Sequence, residues 1–189
     1  MKRVCINPGH GGSQPGAVYG NLLEKDVNLK VAQYVVEGLN AVDPEIWVGM
    51  TRTYDRTMTL QEVCDFSNNM NVDCFVSIHC NADPDEDAPG MPEAKGEEIW
   101  FFKGSRSGKK LAQCLADEVD QIFPDEPFRG LKETEDLYVL KHTNAPACLI
   151  EIGFIDNSKT NESFQDELTL RKAGSLIARG ICEYLGIKV

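Results

Sequence analysis

Asp73-Cys74-Phe75-Val76-Ser77-Ile78-His79 is the stretch on which the fold turns. A nearly continuous apolar run of this length marks a strand covered on both faces, the kind found in parallel sheets with helices on either side. Working outward, strand and helix patterns alternate, which signals an α/β fold. Val4-Cys5-Ile6 reads as a short apolar strand, and residues 24–40 as a helix with Val27, Val31, Val35 and Leu39 on one face. Pro44 ends that helix, and Glu45–Met50 reads as the next strand. Residues 59–70 form a second helix with Leu60, Val63, Phe66 and Ser67 inward. Beyond the central strand, Glu97–Phe102 is a strand. Residues 106–123 are a helix with Leu111, Leu115, Val119 and Ile122 inward. Asp136–Leu140 reads as a short strand and Ala147–Ile152 as the last one. A final helix over about 168–185 is stopped by Gly186. The expectation is one α/β domain over 1–189, with a twisted, mostly parallel or mixed sheet of about six strands and helices on both faces. Residues 83–96, acidic and rich in helix and strand breakers, read as an exposed loop next to the end of the central strand.

Composition narrows the function. The formal net charge of −11 argues against nucleic acid, whose phosphates call for Lys and Arg, and against general adhesion to anionic surfaces. No apolar stretch is long enough to span a membrane. Residues 1–8 read as the first strand rather than a signal peptide, because the apolar run stops at Asn7-Pro8-Gly9. The seven cysteines are scattered, with no Cys-x-x-Cys pair, which reads as free buried thiols. Cys80 adjoins His79, and on a strand neighbours point to opposite faces, so Cys80 is expected to face away from any metal at His79.

Four residues stand out at element ends: His10, Glu24, His79 and Glu151. Two imidazoles and a carboxylate are the ligand set of a hydrolytic zinc site, which leaves a position open for water. A further carboxylate serves such a site as proton shuttle. Glu151 lies inside an apolar run, where an unpaired charge is costly, so it calls for a metal, a cation or a raised pKa. Each residue also has a plainer explanation. A lone histidine is usually a surface or core residue, and Glu24 suits the positive end of a helix dipole. His142, in Leu140-Lys141-His142-Thr143, reads as an ordinary surface histidine.

The chain resembles the zinc-dependent N-acetylmuramoyl-L-alanine amidases, the peptidoglycan amidases of autolysins and phage endolysins. The resemblance is carried in order by Asn7-Pro8-Gly9-His10-Gly11-Gly12, Leu23-Glu24-Lys25-Asp26, Thr51-Arg52 with Asp55, and Ser77-Ile78-His79-Cys80-Asn81-Ala82. It continues through Arg129-Gly130-Leu131-Lys132 and Pro146-Ala147-Cys148-Leu149-Ile150-Glu151-Ile152-Gly153-Phe154-Ile155. It implies one Zn²⁺ held by His10, Glu24 and His79, with metal-activated water attacking the lactyl–alanine amide and Glu151 acting as general base and then acid. It points to Asn81, Arg129 and Gly130 as substrate contacts and to peptidoglycan as the partner of a monomer that neither enters membranes nor binds nucleic acid. It further implies action on the cell wall, either as an endolysin released from the cytoplasm or as the excised domain of a secreted autolysin. The chain departs from the family at Asn7 and Gln14, where aspartate is usual, and at Val63, where arginine is common. Two other readings use the same residues: another zinc amidohydrolase or peptidase acting on wall peptides, and a wall-binding module without catalysis. Retention of Glu151 beside the three ligands argues against the second.

Overall fold

The computed structural model describes residues 1–83 and 94–188. Its centre is a six-stranded sheet in the order β4-β1-β5-β8-β6-β7. These strands are β1 (Arg3–Pro8), β4 (Trp47–Met50), β5 (Cys74–Asn81), β6 (Glu98–Phe102), β7 (Leu131–Thr134) and β8 (Ala147–Phe154), while β2 (Val18–Tyr19) and β3 (Leu22–Leu23) pair as a separate small ribbon. β1 runs parallel to β4 and β5, and β5 parallel to β8. β6 is antiparallel to β8 and parallel to β7, so the sheet is mixed.

Period-two alternation sorts the strand residues into two cores. Val4 and Ile6, Cys74, Val76 and Ile78, and Cys148, Ile150 and Ile152 are buried on one face. That face is covered by α1 (Glu24–Val42), α3 (Arg106–Val119) and α6 (Glu167–Leu185). Cys5, Phe75, Ala147 and Leu149 are buried on the other, beneath α2 (Leu60–Met70) and α4 (Tyr138–His142). Helix α5 (Ser158–Phe164) packs beside α6. Four buried or partly buried polar residues, Asn7, Ser77, His79 and Glu151, share the alternation class of the α2/α4 face. Cys80 lies in the opposite core, as alternation requires.

The connection order creates the site. The chain leaves β1, returns through α1 as β4 on one side, then crosses through α2 to β5 on the other side of β1. Strand order therefore reverses between β1 and β5, and in open α/β sheets the crevice for ligands opens beyond the carboxyl ends of strands at such a reversal. His10 follows β1 directly and His79 lies near the end of β5.

Three readings need correction. Asp136–Leu140 is not a strand. Leu131–Thr134 supplies the edge strand, and Tyr138–His142 is a single turn of α-helix that buries the consecutive residues Val139 and Leu140, a pairing that alternation does not allow. Leu60, expected inward, is 55% exposed, because it opens α2 just after the Thr59 cap, where no preceding turn covers it. Ile122 is buried, but α3 has already ended at Val119. The breaker-rich stretch at 84–93 lies outside the described residues. The cysteines are free, and all but the partly buried Cys114 are buried. Among the described residues no helix is long and apolar enough to cross a membrane.

Candidate functional site

The turn after β1 is forced into shape by what approaches it. A side chain at Gly9 would meet the His79 ring at 2.2 Å, so only glycine permits the close passage of that imidazole. His10 itself has φ +61°, a left-handed conformation that costs a non-glycine residue about 1 kcal/mol or more and is found mostly at functional sites. Its neighbours hold it there. Arg52 donates to the carbonyls of Pro8 (3.0 Å), Gly9 (3.0 Å) and Lys25 (2.7 Å). Asp55 accepts from the Gly12 N–H at 2.6 Å and pairs with Lys25 at 2.8 Å, while Lys25 also donates to the Gly12 carbonyl. The Thr51-Arg52, Asp55 and Lys25 positions thus serve as a clamp on the loop that presents His10.

Glu24 opens α1 without a side-chain cap. Its N–H and that of Lys25 donate instead to the carbonyls of Ala17 and Pro15, both at 3.0 Å, which satisfies two of the helix's orphan donors. The carboxylate faces the crevice, where it accepts from the Ala17 N–H at 2.8 Å and the Cys80 N–H at 3.1 Å. Oε2 lies 3.2 Å from His10 Nε2 and Oε1 lies 3.1 Å from His79 Nδ1. The side chains of His10 and His79 are 33% and 19% exposed, against 5% for Glu24. Burial pushes the Glu24 carboxyl up, but hydrogen bonds with His10 and His79 outweigh it and hold the group well below the usual carboxylate range. Asn28, one turn along α1 and fully buried, donates to Glu24 Oε1 at 3.2 Å and to the Gly9 carbonyl at 3.3 Å, tying helix to turn. Nothing but its four-residue spacing from Glu24 pointed to Asn28 in the sequence.

One donor atom from each of His10, Glu24 and His79 lies within 4.8 Å of the others. Two imidazole nitrogens and a carboxylate oxygen suit zinc in both softness and number. Glu151 stands on the adjacent strand, its Cα paired with His79 on one side and Glu98 on the other. Its Oε2 is buried without a hydrogen-bond partner. Burial first, then the negative charges of Glu24 and Glu98, push its pKa up to about 8, with Lys132 opposing them. An orphaned carboxyl oxygen beside a cluster of nitrogen and oxygen donors fits a site able to hold a cation.

The family model described as N-acetylmuramoyl-L-alanine amidase matches residues 4–183. The chain belongs to the N-acetylmuramoyl-L-alanine amidase family. Among its relatives, the uncharacterized protein YqiI of Bacillus subtilis (strain 168) is 34% identical over 97% of this chain and 84% of its own length. The germination-specific N-acetylmuramoyl-L-alanine amidase of the same organism is 28% identical over 97% of this chain and 79% of its own. The catalytic domain of CwlV, an N-acetylmuramoyl-L-alanine amidase from Bacillus (Paenibacillus) polymyxa var. colistinus, superimposes with a TM-score of 0.89 at 29% identity, covering 100% of both chains.

Within the amidase, the remaining candidates gather elsewhere. Asn81 and Arg129 both touch Glu98, Asn81 donating at 3.1 Å and Arg129 at 2.8 Å. Lys132 pairs with the same Glu98 carboxylate, and the Trp100 indole donates to it at 2.9 Å. Gly130 has φ +91° with open space around its Cα, and its carbonyl accepts from Ile99 at 3.2 Å, so its place is the turn that starts β7. Asn7 accepts from the Thr51 hydroxyl at 2.7 Å and donates to the Ser77 hydroxyl at 2.8 Å, bonds that an amide makes as one group. Val63 is buried in the apolar core under α2. Glu98 was not singled out in the sequence. The acid pair at its strand's start reads as a surface feature until the sheet buries it. His142 is exposed and stacks on Tyr138.

Proposed function

We propose that the amidase is a zinc-dependent peptidoglycan hydrolase that cleaves the amide between the lactyl group of N-acetylmuramic acid and L-alanine. The observation that carries this reading is the His10, Glu24 and His79 donor group with the unpartnered Glu151 carboxyl on the next strand. His10, Glu24 and His79 would hold the metal, which when bound supplies Lewis acidity, lowering the pKa of water toward ~7 and polarising the amide carbonyl.

The remaining work belongs to the protein. Arg52 and the Lys25–Asp55 pair keep His10 in its left-handed turn, so the donor set is formed before substrate arrives. Glu151, on the strand beside His79, accepts the proton of the attacking water and delivers it to the departing alanine amine. Asn81, Arg129 and the Gly130 turn border this carboxyl's side of the site as substrate contacts. The thiols take no part, since burial holds Cys80 and Cys148 well above their ordinary pKa and far from a reactive thiolate. The amidase acts as a monomer on the cell wall.

The test is a soluble muramoyl peptide with product analysis. Zinc-loaded wild-type protein exposes a new L-alanine amine, and Glu151→Gln keeps stoichiometric zinc while turnover falls by ~10²–10⁴-fold, the usual worth of a general acid–base group. Cleavage at another bond would make the chain a different wall-peptide hydrolase. Near-wild-type turnover in the variant would assign the base elsewhere.

A further inference from the structure

Asn28 touches the segments that carry His10, Glu24 and His79. Its amide nitrogen donates to Glu24 Oε1 at 3.2 Å and to the carbonyl of Gly9, beside His10, at 3.3 Å. Its amide oxygen accepts from the thiol of Cys80, beside His79, at 3.5 Å. Both N–H donors of the amide and its acceptor are thus used, although the side chain is fully buried. Val27, Val31 and Val35 fill the same helix with apolar groups, so packing alone does not call for an amide at position 28.

The amide makes the two oxygens of Glu24 unequal. Oε1 accepts from Asn28 and from the Cys80 N–H, whereas Oε2 accepts from the Ala17 N–H. A carboxylate has about four lone-pair sites, two on each oxygen. Asn28 and Cys80 therefore occupy both sites on Oε1, while Ala17 leaves one open on Oε2. The neighbouring His10 Nε2 and His79 Nδ1, when neutral, bring lone pairs of their own to a cation and claim none from Glu24. We propose that Glu24 binds the metal through Oε2 alone, and that Asn28 is the positioning residue that closes Oε1 to it. This rests on the metal reading of the donor group above and adds which oxygen is used and what selects it. The consequence is functional. A glutamate that chelated with both oxygens would take a second position at the metal, and a hydrolytic site needs that position for water.

The direct test needs no variant: the structure of the zinc-loaded wild-type protein. Zinc bonds to Oε2 at about 2.0–2.2 Å while Oε1 keeps its bonds to Asn28 and Cys80. Zinc on Oε1, or on both oxygens, overturns the proposal. Asn28→Leu keeps a branched side chain and removes the amide. Its zinc affinity, read by competition with a metal indicator, falls about 10–100-fold, the usual worth of a group that orients a ligand. Its cobalt(II)-substituted form also loses visible absorption, because the freed Oε1 raises the coordination number and four-coordinate cobalt absorbs most strongly. Val35→Ala, two turns further along α1, opens a cavity in the core and lowers stability, yet keeps wild-type zinc affinity and cobalt spectrum. A folded Asn28→Leu with wild-type affinity and spectrum overturns the role of Asn28, as do equal losses in Val35→Ala. Failure of the metal reading looks different: the wild-type protein itself takes up no stoichiometric zinc.

Discussion

Glu24 and Glu98 are both glutamates, 4% and 3% exposed, each gripped by two basic side chains. Both carboxyls lie below their usual range for the same reason: burial pushes them up, and hydrogen bonds to the basic partners outweigh it. The difference lies in the partners. His10 and His79 are imidazoles, and a neutral imidazole has a lone pair to give a metal. Lys132 and Arg129 have donors only and carry fixed positive charge. The Glu24 group can therefore gather around a cation, while the Glu98 group is itself a finished ion cluster. Glu151 sits between the two, facing His79 on one strand and Glu98 on the other. Burial of an acid does not identify a metal site; the proton chemistry of its partners does.

Exchanging each glutamate for its amide tests that contrast most sharply. Glu24→Gln should weaken zinc binding by more than ~100-fold, beyond the 10–100-fold typical of groups that merely orient ligands, as read by competition with a metal indicator. Glu98→Gln should leave zinc stoichiometric and instead destabilise the fold by about 2 kcal/mol. Breaking a fully buried pair costs about 3–5 kcal/mol, and here both cations are partly solvated. If Glu98→Gln releases the metal, the two clusters are coupled and the contrast fails.

Glu97 sharpens the comparison from the other direction, because it is fully buried and pairs with no basic side chain among the described residues. Its Oε1 accepts from the Phe123 N–H at 2.9 Å, and its Oε2 has no partner. Burial pushes its pKa up from 4.5 to about 8. The folded state thus binds this proton more tightly than the unfolded chain. Its stabilising contribution is complete below about pH 4.5 and is lost as pH rises through about 8. Glu97→Gln should gain on wild type as pH rises, by about 4 kcal/mol more at pH 9 than at pH 5 for a shift from 4.5 to about 8, measured by denaturant unfolding. An equal effect at both pH values would mean that Glu97 is ionised in the folded protein at both.

Much of this was legible in the chain. The run from Cys74 to Ile78 and the spacing of Val27, Val31, Val35 and Leu39 mark buried faces by periodicity alone, and periodicity is local. His10, Glu24, His79 and Glu151 could be picked out because each interrupts a pattern at an element end, and the family motifs placed them together. Helix α4 was misread because one turn is too short to show a helical period, and β7 because an edge strand of mixed polarity resembles a loop.

By itself the sequence determined the alternation of strands and helices, the two faces of the central strands and the residue types available for chemistry, since these depend on neighbours along the chain. Only the tertiary structure decided which acids share partners. The reversal of strand order between β1 and β5 brings His10 and His79 to Glu24, across separations of 14 and 55 residues. The antiparallel pairing of β6 with β8 sets Glu98 beside Glu151 and leaves Lys132 and Arg129 on that side alone. Charge compensation acts through space over a few ångströms, and no local pattern encodes which distant residues will meet.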